Sequence, residues 1–198
     1  MNKRIAFFDF DGTITTKDTL LEFIRFCKGD FSFLRGFLWN SPYLIAFKLR
    51  LISNQLAKEK VLQYFFRNTP VDEFQKQCGL FKHQRLPGLI RSKALDEIRI
   101  LKEKGTDIVV VSASPENWIK EWAGEMNLHL IASRLEIKDG KITGKITGKN
   151  CHGQEKVRRI LEAYRLHEYT EVSAYGDSAG DRPMLELAGS CYFKPFRN

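Results

Sequence analysis

Short apolar runs alternate with segments of helical periodicity through most of the chain, and this alternation constrains the fold more than any other feature. Because the runs contain few polar residues, we expect both faces of each strand to be buried, as in a parallel sheet. The sequence therefore predicts an α/β fold with helices on both faces of that sheet. The predicted strands are Arg4–Phe8, Asp107–Val111, Leu128–Ile131, Glu171–Tyr175 and Ser190–Phe193, and the predicted helices are Gly88–Lys104, Glu116–Met126, Gln154–Arg165 and Asp181–Ala188.

A long segment after the first strand interrupts the alternation. Residues 18–84 are rich in Phe, Leu and Ile at helical spacing and contain no convincing strand, so they predict a helical insertion. Within it, Ser41 followed by Pro42 predicts a helix start, because serine caps helices and proline suits the first helical position. We expect a core domain of residues 1–17 and 85–198 and a helical cap of residues 18–84.

A shorter interruption lies in the second half of the chain. Apolar and polar residues alternate over Arg134–Thr147, around the pair Asp139-Gly140. This pattern predicts a β-hairpin with a type I′ turn.

Length and composition fit a globular protein with one sizeable core. The 198 residues are 43% hydrophobic and 28% charged, which suits one domain with a modest insertion. The four cysteines are widely spaced and form no CxxC pair, so neither a zinc site nor a disulfide framework is expected. Asp9 and Asp11 interrupt the first apolar run before a signal peptide could form. We expect a cytoplasmic protein.

The chain is basic, with a formal net charge of +8 at pH 7. This charge favours an acidic partner, which leaves a phosphorylated metabolite, a nucleic acid or an anionic membrane surface as alternatives. No motif of a nucleic-acid-binding module is present, so a nucleic acid is the least favoured of the three.

Polar residues follow several predicted strands, where open α/β sheets bind their ligands. Asp9 and Asp11 come after the first strand as two carboxylates in an i, i+2 pair, and Gly12 after them permits a sharp turn. Such a pair alone is weak evidence for function. Ser112 and Ser114 follow the second strand, just before Pro115 at an expected helix start. They predict either an anion site or a simple helix cap.

Two further elements carry charged residues at comparable positions. Lys156 falls in the first turn of a predicted helix, where the helix dipole disfavours a cation, so an anionic partner is the better explanation. Asp177 and Asp181 lie four residues apart in a glycine-containing loop after the strand that ends at Tyr175. Together with Asp9 they could bind a hard cation.

The four elements, taken in order, resemble the signature motifs of the haloacid dehalogenase (HAD) superfamily. The matching segments are DFDGTIT, VVVSAS, the lysine of GQEKV, and GDSAGDRPML. The resemblance implies a HAD-like Rossmannoid parallel sheet. A helical insertion after the first motif is similar to the C1 cap, and within that class to subfamily IB, which includes phosphoserine phosphatase and phosphatidylglycerophosphatase C.

The resemblance also implies a mechanism, that of a Mg²⁺-dependent phosphomonoester hydrolase. Asp9 would form an aspartyl phosphate and Asp11 would act as acid and base. A catalytically silent phosphate-binding protein and a phosphotransferase remain alternatives on the same fold. The residues implied to contact the phosphoryl group are Gly12, Ser112, Ala113 and Lys156, and those implied to bind magnesium are Asp9, Asp11 through its carbonyl, Asp177 and Asp181.

Some residues depart from the phosphoserine phosphatase pattern. That family has serine where Gly12 stands and a glutamate that recognises the substrate amine, for which the nearest acid here is Asp18. It also has two glycines where this chain has Ala113 and Ser114. These differences weaken the assignment of a serine phosphate as substrate.

The predicted cap contains a segment, Phe31–Lys58, that has many aromatic residues, several basic ones and no acid. The aromatic residues could form the core of the cap, or they could face a membrane or a lipid phosphate. The substrate is therefore expected to be a phosphorylated small molecule or a lipid phosphate. Peripheral contact with the inner face of a membrane stays open, and the sequence does not predict an oligomeric state.

Overall fold

A computed structural model of the chain describes residues 3–197. Five parallel strands form one sheet with the order β3-β2-β1-β6-β7. The central strand β1 lies between β2 and β6, so the strand order reverses at β1. Ligands usually bind at the carboxyl end of the strand where this reversal occurs. These strands are β1 at Arg4–Phe8, β2 at Thr106–Pro115, β3 at His129–Ser133, β6 at Glu171–Gly176 and β7 at Ser190–Phe193.

Both faces of the sheet are buried at β1 and β2, as the apolar runs predict, but the edge strand β7 is exposed along its whole length, so the prediction is wrong for that strand. Alternate residues of β1 point to opposite sides, so Phe8 packs in one hydrophobic cluster with Ile98, and Phe7 packs in another with Ile160 and Met184. The predicted α/β class with helices on both faces is confirmed. The covering helices are α4 at Ser92–Glu103, α5 at Lys120–Glu125, α6 at Gln154–Ala163 and α7 at Arg182–Glu186.

The insertion after β1 is helical, as predicted, but its internal boundary is not where the sequence suggested. It contains α1 at Thr19–Lys48, α2 at Asn54–Phe66 and α3 at Val71–Gln84. The helix start predicted at Ser41-Pro42 is wrong, because Pro42 lies inside α1. The carbonyl of Leu38, which loses its helical partner there, belongs to a residue that is 74% exposed, so water can satisfy it.

Helix α1 is broken at Gly29 instead. This glycine has φ 75° and ψ 164°, a conformation that side-chain-bearing residues rarely adopt. The break divides α1 into a first part, in which Phe23 reaches Trp118 beside the sheet, and a second part, in which Phe37 packs on Phe65 of α2. In the described residues 3–197, no helix has both the length and the apolar character needed to cross a membrane.

Aromatic packing joins the insertion to the rest of the protein. Phe23 in the first part of α1 contacts Phe66, Phe74 and Phe81, all from the insertion. On its other side it stacks on Trp118, which follows β2, at 4.7 Å between ring centroids. One hydrophobic cluster therefore extends through both parts. The division into a core domain and a cap remains a prediction.

The β-hairpin forms as predicted and lies outside the main sheet. Strands β4 at Leu135–Lys138 and β5 at Lys141–Ile146 are antiparallel, and Asp139 and Gly140 both have positive φ, as a type I′ turn requires. The hairpin packs on α2 so closely that a Cβ on Gly144 would lie 2.5 Å from Cα of Gln63. It thus braces the helix that follows α1.

The end of β2 differs from the sequence prediction. The strand continues to Pro115, so Ser112, Ala113 and Ser114 belong to it rather than to a helix start, and a short 3₁₀ turn, Glu116–Trp118, follows. The predicted capping role of Ser114 is therefore wrong. Since strand side chains alternate, Ser112 and Ser114 share one side, and both approach the loop after β1.

A buried glutamate ties the two ends of the insertion together. Glu22, 1% exposed, accepts hydrogen bonds from Nε and Nη2 of Arg85 at 3.0 and 2.5 Å, and it pairs with Lys17 at 3.2 Å. Burial alone would raise the pKa of Glu22, but hydrogen bonds from Arg85 and Lys17 lower it below its ordinary value. The charged form of Glu22 is therefore favoured in the folded protein.

We expect Glu22→Gln to lower the free energy of unfolding by about 1–3 kcal/mol at neutral pH, because Arg85 loses its charged partner. Because the folded pKa is lowered, this contribution is present above the unfolded pKa and is lost as the pH falls through the folded value. The difference from wild type should thus shrink below the ordinary value of 4.5. Urea unfolding across this pH range measures it.

Glu162→Gln is the matched control, because Glu162 pairs with Arg158 through a side chain that is 60% exposed. Its loss should stay below about 1 kcal/mol. Equal losses in the two variants would contradict the role given to Glu22.

Candidate active site

Asp9 ends the central strand and is 6% exposed. Its backbone N–H donates to the carbonyl of Tyr175 at 2.9 Å, which continues the pairing of β1 with β6. Its carboxylate accepts from Lys156 Nζ at Oδ1, at 2.6 Å, and from Thr13 Oγ1 at Oδ2, at 3.1 Å. The sheet and these two donors fix the position of the carboxylate.

Lys156 lies in the first turn of α6, as predicted, and is 1% exposed. Its ammonium group donates to Asp9 Oδ1 at 2.6 Å, to Asp181 Oδ1 at 2.7 Å and to the carbonyl of Val111 at 2.7 Å. Burial alone would lower the pKa of Lys156, but Asp9 and Asp181 together raise it above its ordinary range. This lysine is therefore a permanent cation between two acids.

One cation does not fully balance the buried acids. Burial raises the pKa of Asp9 to about 7, against the lowering effect of Lys156, and the charges of Asp181 and Asp11 add to the rise. A second cation beside Asp9 would lower this pKa and keep the carboxylate ionised.

The loop after β6 presents Asp177 and Asp181. Asp181 Oδ2 accepts from the backbone N–H groups of Asp177 and Ser178, at 3.2 and 2.9 Å, and from the hydroxyl of Ser178 at 2.7 Å. Burial would raise the pKa of Asp181, but Lys156 and Ser178 lower it. Asp181 is therefore held as an anion by its own loop and by Lys156.

Three carboxylates form a candidate metal centre. Oxygen atoms of Asp9, Asp177 and Asp181 lie within 4.8 Å of one another. Burial and the neighbouring Asp181 raise the pKa of Asp177, which a contact from Arg197 partly offsets. Carboxylate oxygens are the donors that magnesium prefers, and the excess of negative charge requires a cation, so the donor set fits this ion.

The side chain of Asp11 lies apart from these three acids. Its Oδ1 accepts from the backbone N–H and the hydroxyl of Thr19, both at 2.6 Å, and its Oδ2 accepts from Ser114 Oγ at 2.6 Å and Ser112 Oγ at 3.5 Å. Asp11 thus links the start of α1 to the end of β2. Only its backbone carbonyl remains available for the predicted contact with magnesium.

Gly12 allows the loop after β1 to approach the loop after β6. It has φ 83°, and a Cβ at this position would lie 2.4 Å from Asp177 Oδ2. A side chain here would displace either the backbone or the carboxylate of Asp177, so glycine fits both the turn and the close approach.

A lysine from the insertion completes the wall of the site. Lys58 on α2 donates to the carbonyl of Ala113 at 3.0 Å and to Asn150 Oδ1 at 3.5 Å. Burial lowers the pKa of Lys58, while Asp18 and Asp11 oppose that shift. Lys58 therefore brings positive charge from the insertion to the carboxyl end of β2.

These groups line a pocket of about 410 Å³ at the carboxyl ends of the strands. Seven of the eight predicted site residues face it. The exception is Ser112, which is fully buried and contacts the site through Asp11 and the N–H of Ser114. The seven residues are Asp9, Asp11, Gly12, Ala113, Lys156, Asp177 and Asp181, and Lys58, Asn54 and His152 join them in the lining.

Comparison with known proteins decides the family. A family model described as haloacid dehalogenase-like hydrolase matches residues 6–186. The chain belongs to this family. The resemblance expected from the four motifs is therefore confirmed, and so is the hydrolase class.

Individual relatives agree with this membership. The chain is 34% identical over 193 residues to Protein CicA of Caulobacter vibrioides, which covers 96% of this chain and 85% of CicA. It is 27% identical over 201 residues to a phosphoserine phosphatase of Methanocaldococcus jannaschii, covering 94% and 83% of the two chains. A solved structure of a protein of unknown function from Bordetella pertussis Tohama I shares the fold at a TM-score of 0.82, with 23% identity and coverage of 96% and 89%.

The contacts that several residues make in this haloacid dehalogenase-like site were not predicted from the sequence. Ser114 and Thr19 hold Asp11, and Lys58 enters the pocket from α2. The two serines in an i, i+2 pattern after a strand gave a usable signal for Ser114, because alternate strand residues share a side. Thr19 and Lys58 belong to the insertion, and no local pattern indicates which of its residues meet the sheet.

Proposed function

We propose that this protein is a Mg²⁺-dependent phosphomonoester hydrolase that forms an aspartyl phosphate on Asp9. The observation that carries the proposal is the contrast between two carboxylates of one loop. Asp9 is buried against Lys156 beside two further acids, whereas Asp11 is surrounded by hydroxyl and amide donors at the pocket wall. The two carboxylates therefore differ in their surroundings, and we assign Asp9 as nucleophile and Asp11 as acid and base.

In the first proposed step, a carboxylate oxygen of Asp9 forms a bond to phosphorus while the bond from phosphorus to the ester oxygen breaks. Asp11 donates its proton to the departing oxygen. In the second step, Asp11 takes a proton from water, whose oxygen attacks phosphorus and releases Asp9 with inorganic phosphate. Protons and bonds balance over the two steps.

The transferring phosphoryl group carries negative charge that the protein must stabilise. Lys156, already in contact with Asp9, supports this charge, and the backbone N–H groups of Gly12 and Ala113 are the proposed further donors. For this role the Gly12 N–H would leave Thr15 Oγ1, to which it donates at 3.2 Å. Ser112 acts by holding the end of β2 beside Asp11.

Magnesium, when bound, would polarise the phosphoryl oxygens and neutralise their charge. Asp9, Asp177 and the carbonyl of Asp11 are the residues proposed to hold it. Asp181, whose oxygens are occupied by Lys156 and by its own loop, would orient the lysine or a water bound to the ion.

A silent phosphate-binding protein and a phosphotransferase are the rival functions. Binding alone does not need an acid beside the nucleophile, yet Asp11 is held in place by contacts from two separate elements, α1 and β2. A phosphotransferase would use the same residues and differ only in the acceptor of the second step. Water is the simplest acceptor, so hydrolysis is the proposal.

The pocket disfavours a substrate amine. Asp18, the nearest acid to the amine-binding glutamate of phosphoserine phosphatases, accepts a hydrogen bond from the N–H of Leu21 and caps α1. Asp18 lines the pocket together with Lys17 and Lys58, and we propose that these two cations repel an ammonium group. We infer a phosphorylated small molecule without an amine near the phosphate, and a lipid phosphate is the second candidate.

Asp9→Asn should abolish phosphate release from an aryl phosphate in the presence of Mg²⁺, because a neutral amide is a poor nucleophile and a poor ligand. After acid quenching, wild type incubated with labelled substrate should carry phosphate on the chain, and the variant should not. If wild type turns over no phosphate ester, the silent binding protein replaces the hydrolase. If the variant is active, Asp9 is not the nucleophile.

Asp11→Asn should reduce turnover about 10²–10⁴-fold on alkyl phosphates, because the leaving alkoxide no longer receives a proton. An aryl oxide leaves without that help, so the loss should be much smaller on an aryl phosphate. Comparing the two losses in one variant separates the acid role from general damage to the site. An equal loss on both substrates contradicts the acid role.

Lys58→Met should reduce the difference in kcat/KM between phosphoserine and the same compound without its ammonium group. Wild type should hydrolyse phosphoserine at least about tenfold less efficiently, in kcat/KM, than the same compound without its ammonium group, because charge repulsion is strong in a partly dry pocket. Lys60→Met is the control, since Lys60 lies on the same helix over the ring of Tyr43. A preference that Lys58→Met leaves unchanged would rule out this role for Lys58.

A further inference from the structure

The second part of α1 exposes a row of large apolar side chains. We call this row, together with the turn that follows it, the outer face of α1. Its members are between 58% and 79% exposed. They are Phe31, Leu34, Leu38, Trp39, Ile45, Leu49 and Leu51.

Helical spacing shows that most of these residues form one stripe. Positions 31, 34, 38, 45 and 49 are separated by three, four, seven and four residues, which places them on the same side of a helix. The opposite side carries Phe33, Gly36 and Asn40, which are buried. The helix therefore packs against α2 with one apolar side and leaves a second apolar side open.

The inner side already accounts for the aromatic residues that belong to the core. Phe33 contacts Phe37 at 4.3 Å between centroids, Phe37 contacts Phe65 of α2 at 6.2 Å, and a Cβ on Gly36 would collide with the ring of Phe65. The two interpretations of the aromatic segment, as part of the core and as a surface that faces a partner, thus apply to different sides of one helix. An exposed apolar stripe of this length marks an interaction surface.

The charged residues within the outer face segment are all basic, and the exposed Asp30 just before it pairs with Arg25. Arg35, Lys48 and Arg50 are exposed, and the segment Phe31–Lys58 contains no acid. In a symmetric dimer the same face would meet itself, so these basic residues would face like charges. A partner with a negatively charged surface above an apolar interior would match both the apolar stripe and the basic residues.

We propose that the outer face of α1 docks on the surface of an anionic lipid bilayer. Its apolar stripe would enter the boundary between headgroups and acyl chains, as amphipathic helices do when they lie in the plane of a membrane. Trp39 suits that boundary because its ring is amphipathic. Arg35, Lys48 and Arg50 contact the lipid phosphates.

The outer face leads directly to the catalytic pocket. Leu51 lies three residues before Asn54, a length of chain that spans at most about 11 Å, and Asn54 lines the pocket with Lys58. Docking would therefore bring the pocket entrance close to the headgroups. Docking itself uses no catalytic residue, so it can be tested independently of the proposed hydrolysis.

Trp39 provides a direct signal of docking. It is 74% exposed, whereas Trp118 is 1% exposed and Trp122 packs beside Phe10. Mixed vesicles of phosphatidylglycerol and phosphatidylcholine should shift the fluorescence emission of Trp39 to shorter wavelength, and the protein should float with them in a density gradient. Vesicles of pure phosphatidylcholine should produce much smaller effects in both assays. Raising the salt from 0.1 M to 1 M should weaken binding, because the Debye length falls from about 10 Å to about 3 Å.

Two sets of variants test which residues are responsible. F31S/L38S/W39S removes three apolar side chains of the outer face, and R35Q/K48Q/R50Q removes its charge. The first should lower vesicle affinity at least tenfold, and the second should lower it about fivefold for each charge. I100S/I137S/L161S is the matched control, since these residues are exposed elsewhere, at 45%, 53% and 52%.

Three results would overturn the proposal. The first is that wild type does not bind anionic vesicles at low salt. The second is that F31S/L38S/W39S binds these vesicles as tightly as wild type does. The third is that wild type forms a concentration-dependent dimer that only this variant abolishes. Asp9→Asn should bind vesicles as wild type does. If the protein binds vesicles but hydrolyses no phosphate ester, the hydrolase proposal is wrong and the docking proposal stands. If it hydrolyses a phosphate ester but does not bind vesicles, the docking proposal is wrong and the hydrolase proposal stands.

Discussion

The contact of Lys156 with Asp9 and Asp181 is the interaction on which the rest of the site depends. Its ammonium group joins the end of β1, the loop after β6, strand β2 at Val111, and its own helix α6. Two carboxylates buried without this cation would carry a large desolvation cost, so their close approach exists only because the lysine lies between them. The spacing of the strand ends, and hence of the candidate metal ligands, follows from that contact.

The sheet could be predicted because its residues satisfy a simple physical condition. A run such as Arg4–Phe8 is apolar on both sides, and only a strand covered on both faces buries all of it. The helix boundaries within the insertion were harder to predict, because the local sequence preference and the observed packing disagree there. Ser41-Pro42 favours a helix start, yet α1 continues through that point. Its break lies at Gly29, before the turn in which Phe37 packs on Phe65 of α2.

The site divides in the same way. The positions of Asp9 and Asp177 were predictable because parallel strands place their carboxyl ends at one edge, so residues distant in sequence converge there without any detailed packing. Lys156 was predictable because a cation in the first turn of a helix calls for an anionic partner. The contacts of Lys58 and Thr19 depend on how α1 and α2 dock against the sheet. That docking is decided by aromatic contacts such as Phe23 on Trp118, which no periodicity in the sequence encodes.

Helix α1 connects the two halves of the proposed function while keeping them apart. Its first residue, Thr19, holds Asp11 through two hydrogen bonds, and its outer face begins at Phe31 beyond the break at Gly29. Because the helical hydrogen bonds are interrupted at that glycine, a force on the second part is not transmitted along a continuous helix to Thr19. A protein that docks through the outer face can therefore place its pocket at a membrane surface and leave the geometry around Asp11 unchanged.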